Sequence, residues 1–263
     1  MHTFQSLRYE LEGSIARITL NRPDSLNAID YQLHEELLHA FLQVRGEREA
    51  RAVLFASTGK AFSAGGDLNE IARLQSDASR RAHMCDGGLR LVHALIDVPI
   101  PIVVALQGDA LGLGASVALG CDIIVAAKTA RIGDPHVKVG LVAGDGGCLF
   151  WPAAVGMNRA KRYLLTGDLL GAEEAWRMGL VTDLVEKAEE ALPAAQQLAQ
   201  RVAQLPPIAV RGTKQSLNSL LKARAREGFD LSMAYEYQSG GSEDTLEAVA
   251  AFKERRKPVY RNR

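Results

Sequence analysis

Apolar and charged residues alternate over Leu7–Glu12 and again over Ile15–Leu20, with Gly13 between. A period of two on both sides of a glycine predicts a β-hairpin. Leu33, Leu37, Leu38, Phe41 and Leu42 then follow Asp30 at helical spacing and stop at Gly46, the pattern of an N-capped amphipathic helix. Ala52–Ala56 is an unbroken apolar run of strand length. Strand, helix, strand in that order is a βαβ unit, whose two strands are parallel and buried.

The pattern continues with a short helix over Leu68–Leu74, a loop over Ser76–Ser79 and a longer helix over Arg80–Ile96. Buried strands are expected at Ile102–Leu106 and Asp122–Ala127, and a short one at Ala130–Ile132. Beyond Cys148 the segments Leu149–Val155, Asn158–Leu165 and Ala172–Met178 read as short helices, followed by a last strand near Thr182–Val185. Helices then fill Glu189–Leu205, a stretch starting at Pro206-Pro207, Phe229–Tyr237 and Glu243–Lys257. Three glycine-bearing loops, Lys60–Asp67, Gly108–Gly114 and Ile132–Gly147, each follow an expected strand. Ligands of open α/β sheets sit beyond the carboxyl ends of strands, so three such loops converging there would form one pocket.

The length of 263 residues suits one large α/β domain or a core with an appendage. With 31 basic and 31 acidic residues the formal charge is zero, which argues against general affinity for nucleic acid or anionic membrane. No apolar run reaches the roughly 18 residues of a membrane span, and Met1–Glu10 lacks a signal-peptide pattern. Cys85, Cys121 and Cys148 have no C-x-x-C spacing and are odd in number, so reduced thiols in a cytoplasmic protein are expected. The histidines are scattered and no four-ligand metal pattern is visible.

Candidate chemistry concentrates in Ile132–Gly147, read I-G-D-P-H-V-K-V-G-L-V-A-G-D-G-G, where His136 precedes Asp145 by nine residues. The stretch is either a solvated connection or a rigid loop holding a titratable pair. Ser116 is either a small packing residue or a hydroxyl that orients water. His83, Met84 and Cys85 lie where a helix would roof the pocket. Lys253, Arg255, Arg256 and Lys257 near the end of the last helix either complement its dipole or contact phosphate.

Taken in order, several motifs resemble the crotonase (enoyl-CoA hydratase/isomerase) superfamily. Lys60–Leu68 (K-A-F-S-A-G-G-D-L) resembles its first oxyanion-hole loop and Pro101–Asp122 its second. Leu26-Asn27-Ala28 resembles its coenzyme A loop, Leu164–Gly167 with Gly179-Leu180-Val181 the tail of its core, and Phe252–Pro258 its last helix. The resemblance runs from about Leu7 to Pro258. It implies an α/β fold, a ββα spiral core (residues 1–190) with a helical C-terminal trimerisation region (residues 191–263), assembled as a trimer or a dimer of trimers. It implies an acyl-CoA thioester as substrate, coenzyme A entering as part of that substrate, with no other cofactor, no metal, no nucleic acid and no membrane partner.

By the same resemblance, the backbone N–H groups of Ser63 and Leu113 would form the oxyanion hole. Leu26, Asn27, Ala28, Ala61, Ala64 and Asp67 would contact coenzyme A, with Phe252 and Arg255 coming from an adjacent subunit. Two departures stand out. Where a family hydratase carries its two glutamates, this chain has Ser116 and His136. The G-D-P-H…G-D-G-G pattern also resembles the β-diketone hydrolase (6-oxocamphor hydrolase) branch, which uses a His and an Asp at positions matching His136 and Asp145; a further histidine of that branch would fall near Gly114. The expected activity is therefore acyl-CoA processing, by water addition or C–C hydrolysis, with His136 as base and Asp145 orienting it. Alternatives are a β-diketone-type hydrolase of a non-CoA substrate and an acyl-CoA-binding protein without catalysis.

Overall fold

The structure, a computed structural model, describes residues 3–263. Strands β1 (Leu7–Glu12) and β2 (Ile15–Leu20) form the expected hairpin, paired antiparallel from Leu7↔Leu20 to Glu12↔Ile15. Helix α1 (Tyr31–Gly46) follows, capped by Asp30, whose carboxylate accepts the Leu33 N–H at 2.9 Å. Strands β3 (Ala52–Ser57), β4 (Ile102–Leu106), β6 (Ile123–Ala127) and β9 (Asp183–Val185) then add in parallel, giving a six-stranded sheet of order β1-β2-β3-β4-β6-β9. A second sheet of order β5-β7-β8 is built from Ala110–Leu111, Arg131–Gly133 and Leu169–Gly171. β8 has no sequence signature beyond one Leu-Leu pair, and three residues next to a glycine are too few for a period of two to show.

Both faces of the large sheet are covered at its centre, which is why β3, β4 and β6 read as unbroken apolar runs. On one face lie α1, α3 (Ala78–Ile96), α4 (Leu113–Leu119) and α5 (Gly147–Val155), with Leu33, Leu37, Phe41, Phe55, Phe62, Leu91 and Trp151 in a common core. Phe41, Phe55 and Phe62 stack edge to face, with centroids 5.9 and 5.2 Å apart. On the other face lies α8 (Ala188–Ala203), whose Ala191, Ala195, Ala199 and Ala203 form a stripe at i, i+4 spacing over Leu54, Val103 and Val125. The expected boundary between residues 190 and 191 therefore falls inside a helix that packs on the sheet; the helices that leave the sheet begin at Pro207.

The segments expected from Pro206 onward and over Phe229–Tyr237 are one continuous helix, α9 (Pro207–Gly240, 34 residues). Its polar first half masks the continuity, because apolar periodicity sets in only where Ala225, Phe229 and Met233 reach the core. α9 is pinned at one end by Lys214, whose buried ammonium meets Asp122 Oδ2 at 2.6 Å and donates to Ile100 O at 2.9 Å. Near its other end Ser232 donates to Gly144 O at 3.2 Å. Short helices α2 (Leu68–Leu74), α6 (Met157–Thr166) and α7 (Ala172–Arg177) and the last helix α10 (Glu243–Glu254) complete the chain. Among the described residues, no helix is long and apolar enough to cross a membrane.

Candidate active site

The three glycine-bearing loops meet at one end of the sheets, around a cavity of about 530 Å³. Its wall includes Gly66, Leu113, His136, Leu141, Asp145, Met233 and Glu236, and its rim Tyr31, Asp67, Arg73, Arg80, His83 and Met84.

The first loop is braced from below by Asn27, which is fully buried in a left-handed backbone conformation (φ 53°). Its amide donates to Thr58 O and Ala61 O at 2.7 and 3.0 Å, and its oxygen accepts the Arg22 N–H at 2.8 Å. All three bonds are internal, so the Asn27 side chain shapes the loop and offers nothing to a ligand. The N–H groups from Ser63 onward can then be followed in turn. Ser63 donates to Asp109 O (3.0 Å), Ala64 to Leu26 O (2.9 Å) and Asp67 to Ile29 O (3.1 Å). Gly65 donates to Ser63 Oγ at 3.2 Å. From Ser63 to Asp67 only Gly66 has no acceptor among the described residues, and it lines the cavity. The expected donor Ser63 is thus engaged in a backbone bridge to Ala110, and the free N–H of this loop belongs to Gly66.

On the second loop the left-handed turn is carried by Gly112 (φ +51°), and Leu113 is the first residue of α4 with ordinary backbone angles. A leucine is therefore no obstacle there, and the N–H of a first helical residue has no intrahelical acceptor. The two loops touch backbone to backbone. A Cβ on Gly65 would stand 2.7 Å from Leu111 O, and one on Gly114 would stand 2.5 Å from Ser63 Cβ. No side chain fits at Gly114, which closes the position where the β-diketone hydrolase branch would place its further histidine.

The third loop holds His136 between two carboxylates. Its Nδ1 is 2.5 Å from Asp134 Oδ1, and its Nε2 is 3.1 Å from Asp145 Oδ2. Ser116, completely buried on α4, donates its hydroxyl to Asp145 Oδ1 at 3.0 Å. All four side chains are buried. Burial alone would depress the imidazole's proton affinity, but the charges of Asp145 and Asp134, with a hydrogen bond from each, raise it well above its ordinary value. A carboxyl group thus faces each ring nitrogen, an arrangement that favours the protonated imidazole. Sequence alone points to His136 as the base with Asp145 orienting it; in the structure Asp134 contacts Nδ1, and Asp145, which lines the cavity, contacts Nε2.

These three residues could also suggest a metal centre, since Asp134, His136 and Asp145 each bring a ligand atom within 4.8 Å of the others. The geometry argues otherwise: the carboxylates bind opposite nitrogens of one ring, so no single ion reaches both while bonded to the imidazole.

Next to Asp145 stands Glu236 of α9, also buried. Burial and the charges of Asp145 and Asp134 push its carboxyl well above the usual range, against the pull of His136 and the Asp145 N–H. Sequence reasoning missed Asp134, which is in the quoted stretch but lacks any local mark of its role, and Glu236, which lies 91 residues beyond Asp145. Of the other expected residues, Asp67 caps α2 by accepting from the Asn69 and Glu70 N–H groups while lining the cavity rim. Leu26, Ala28, Ala61 and Ala64 stay outside the cavity lining; Phe252 on α10 and Arg255, the residue that caps its C-terminus, are exposed and also outside it. His83 and Met84 line the rim, whereas Cys85 is buried away from it.

A spiral of two sheets, glycine loops with free N–H groups at their ends and a helical C-terminal region together define a crotonase-type fold. The chain belongs to the enoyl-CoA hydratase/isomerase family, whose model matches residues 10–263. It is 32% identical over 262 residues to a probable enoyl-CoA hydratase of Mycobacterium bovis, covering 99% of this chain and 100% of that one. It is 32% identical over 257 residues to the 1,2-epoxyphenylacetyl-CoA isomerase of Escherichia coli, covering 95% and 96%. Among solved structures, an enoyl-CoA hydratase/isomerase from Mycobacterium paratuberculosis superposes with a TM-score of 0.88 at 36% identity, covering 95% of this chain and 99% of that one.

Proposed function

We propose that the protein is an acyl-CoA enzyme that moves protons and water with a His136–Asp145 pair where family hydratases use glutamates. The observation carrying this reading is that the two unengaged loop N–H groups, of Gly66 and Leu113, border the same cavity as the pair. A thioester carbonyl accepting both would have its developing enolate charge stabilised by roughly 3–4 kcal/mol per donor.

In this reading Asp145, held by Ser116 on one oxygen, takes a proton from water, and His136 stabilises the extra charge in the pocket. Hydroxide then adds at the β-carbon. On an enoyl thioester, this forms the enolate, whose α-carbon is protonated from Asp145, completing hydration. On a 3-oxoacyl thioester, addition at the keto carbon and cleavage of its bond to the α-carbon expels the same enolate; the released acid and the protonated thioester together account for the added water. Asp134 is a positioning residue that acts through His136. Coenzyme A enters as part of the substrate, and no further cofactor is needed. Phe252 and Arg255, exposed at the end of α10, would meet coenzyme A from an adjacent subunit. The exposed Leu217, Leu220 and Leu231 on α9 are consistent with the trimeric assembly this requires.

A second reading is hydrolysis of a β-diketone that carries no coenzyme A; the contact between His136 and Asp145 favours it, and the closed Gly114 position counts against it. The decisive experiment compares wild type, His136→Ala and Asp145→Asn on enoyl, 3-oxoacyl and malonyl-type CoA thioesters. Both variants should lose at least roughly 10²-fold in turnover while still binding. Full activity in His136→Ala would end the reading; wild-type binding without turnover on any thioester would leave a non-catalytic acyl-CoA-binding protein.

A further inference from the structure

Glu236 is a buried glutamate whose carboxyl takes the Asp145 N–H and leaves Oε2 unpartnered among the described residues. The contrast with Glu36, the other buried glutamate, is direct. Glu36 accepts from the backbone N–H groups of Gln5, Ser6 and Leu7 at 3.0, 2.8 and 3.2 Å, tying the N-terminal strand to α1. Glu236 is 3% exposed, lines the cavity, and its Oε2 has no hydrogen-bond partner among the described residues. It has no ion-pair partner there either. Room for it is made on purpose by the opposite wall: a Cβ on Gly144 would stand 2.6 Å from Glu236 Oε2 and 2.6 Å from Ser232 O. The missing side chain at Gly144 lets α9 approach closely enough for the carboxyl to stand beside Asp145.

A buried polar group left unpaired costs about 1–3 kcal/mol, so its persistence calls for an explanation. The surrounding wall is apolar, with Leu113, Leu141 and Met233. A saturated or simple enoyl chain would leave the carboxyl unpaired, whereas an acyl group bearing oxygen would satisfy it.

We propose that the Glu236 carboxyl group is the hydrogen-bond partner of an oxygen on the β-carbon of the acyl chain, so that the site selects 3-oxoacyl or 3-hydroxyacyl thioesters over unsubstituted ones. This rests on the acyl-CoA reading above, which puts the β-carbon beside Asp145. Carried in the shape of the pocket, it favours C–C hydrolysis, or the hydroxyacyl side of hydration, as the chemistry of the site. The carboxyl faces Asp145, Asp134 and His136 and supplies the donor itself, because its surroundings favour the neutral acid.

The test uses two stable thioethers, S-(3-oxobutyl)-CoA and S-butyl-CoA, which both lack the thioester carbonyl and differ only in the oxygen. Calorimetric titration of the wild-type protein should give roughly tenfold tighter binding of the oxo compound, the worth of one hydrogen bond to a buried, otherwise unpaired group. Glu236→Leu should abolish the preference, and Glu236→Gln, which keeps an N–H donor in the same shape, should retain part of it. Equal binding of the two thioethers by wild type, or a preference untouched by Glu236→Leu in a variant with an unchanged circular dichroism spectrum, overturns the inference and leaves the acyl-CoA reading standing. Failure of both thioethers and of butyryl-CoA to bind overturns both.

Discussion

The Nδ1 of His136 sits 2.5 Å from Asp134 Oδ1, so the nitrogen that meets the cavity side is Nε2. Asp134 is therefore the group that fixes the ring. Replacing it with Asn keeps the shape and removes the charge that holds the imidazole in its orientation and protonation state. Turnover on the best thioester should fall by roughly 10²–10⁴-fold, as when the orienting carboxylate of a triad is neutralised. Binding of coenzyme A esters should be unaffected, so steady-state kinetics and calorimetry on Asp134→Asn check the claim together.

The charge of His136 makes a spectroscopic prediction. With its proton affinity raised well above that of a free imidazole, both ring nitrogens should carry protons at pH 7.5, visible in nitrogen-15 histidine spectra as the imidazolium pattern. A group whose folded pKa is raised contributes stability that is complete below about 6.5, the unfolded value, and is lost as pH climbs through the folded one. His136→Gln, leaving Asp134 and Asp145 without their cation, should cost about 3–5 kcal/mol at neutral pH, with the deficit shrinking toward alkaline pH in chemical denaturation.

Glu236 has the same sign for a different reason. Its folded pKa is raised above 4.5, chiefly by burial and the charge of Asp145, so its contribution is complete below that value and falls as pH rises. Glu236→Gln mimics the protonated form at every pH. Its melting temperature relative to wild type should therefore increase steadily from pH 4.5 to pH 8 in scanning calorimetry; a constant difference would show that the carboxyl does not titrate in this window.

The close approach of the two glycine-bearing loops that carry Gly66 and Leu113 depends on Gly114. A methyl group there would stand 2.5 Å from Ser63 Cβ and must push the loops apart. Gly114→Ala should lower stability by about 1–3 kcal/mol and reduce kcat more than it weakens substrate binding, because the Gly66 and Leu113 N–H groups would no longer be aimed together. Thermal unfolding and kinetics of the one variant test both parts.

The hairpin, the buried strands and the position of the three loops were legible because alternation, apolar runs and glycines are local signals. His136 and Asp145 were visible for the same reason, since one short glycine-rich stretch contains both. Ser63 was mistaken for a donor because the fate of an N–H is decided by a partner far away in sequence, here Asp109 O. Asp134 looked like one more loop acid, and only the turn at Pro135 folds it back onto the imidazole two residues later. Glu236 was beyond reach: it sits on the late part of a helix whose polar first half broke the apparent period, and its neighbour Asp145 comes from a loop 91 residues earlier.

Helix α9 joins two things usually thought of separately. Lys214 anchors one end to the sheet through Asp122, and Met233 and Glu236 near the other end form part of the cavity wall. A chimera that placed this helix from one relative onto the spiral of another would therefore exchange the cavity-lining Met233 and Glu236 together with the exposed Leu217, Leu220 and Leu231, so the pocket wall and the outer face change as one unit.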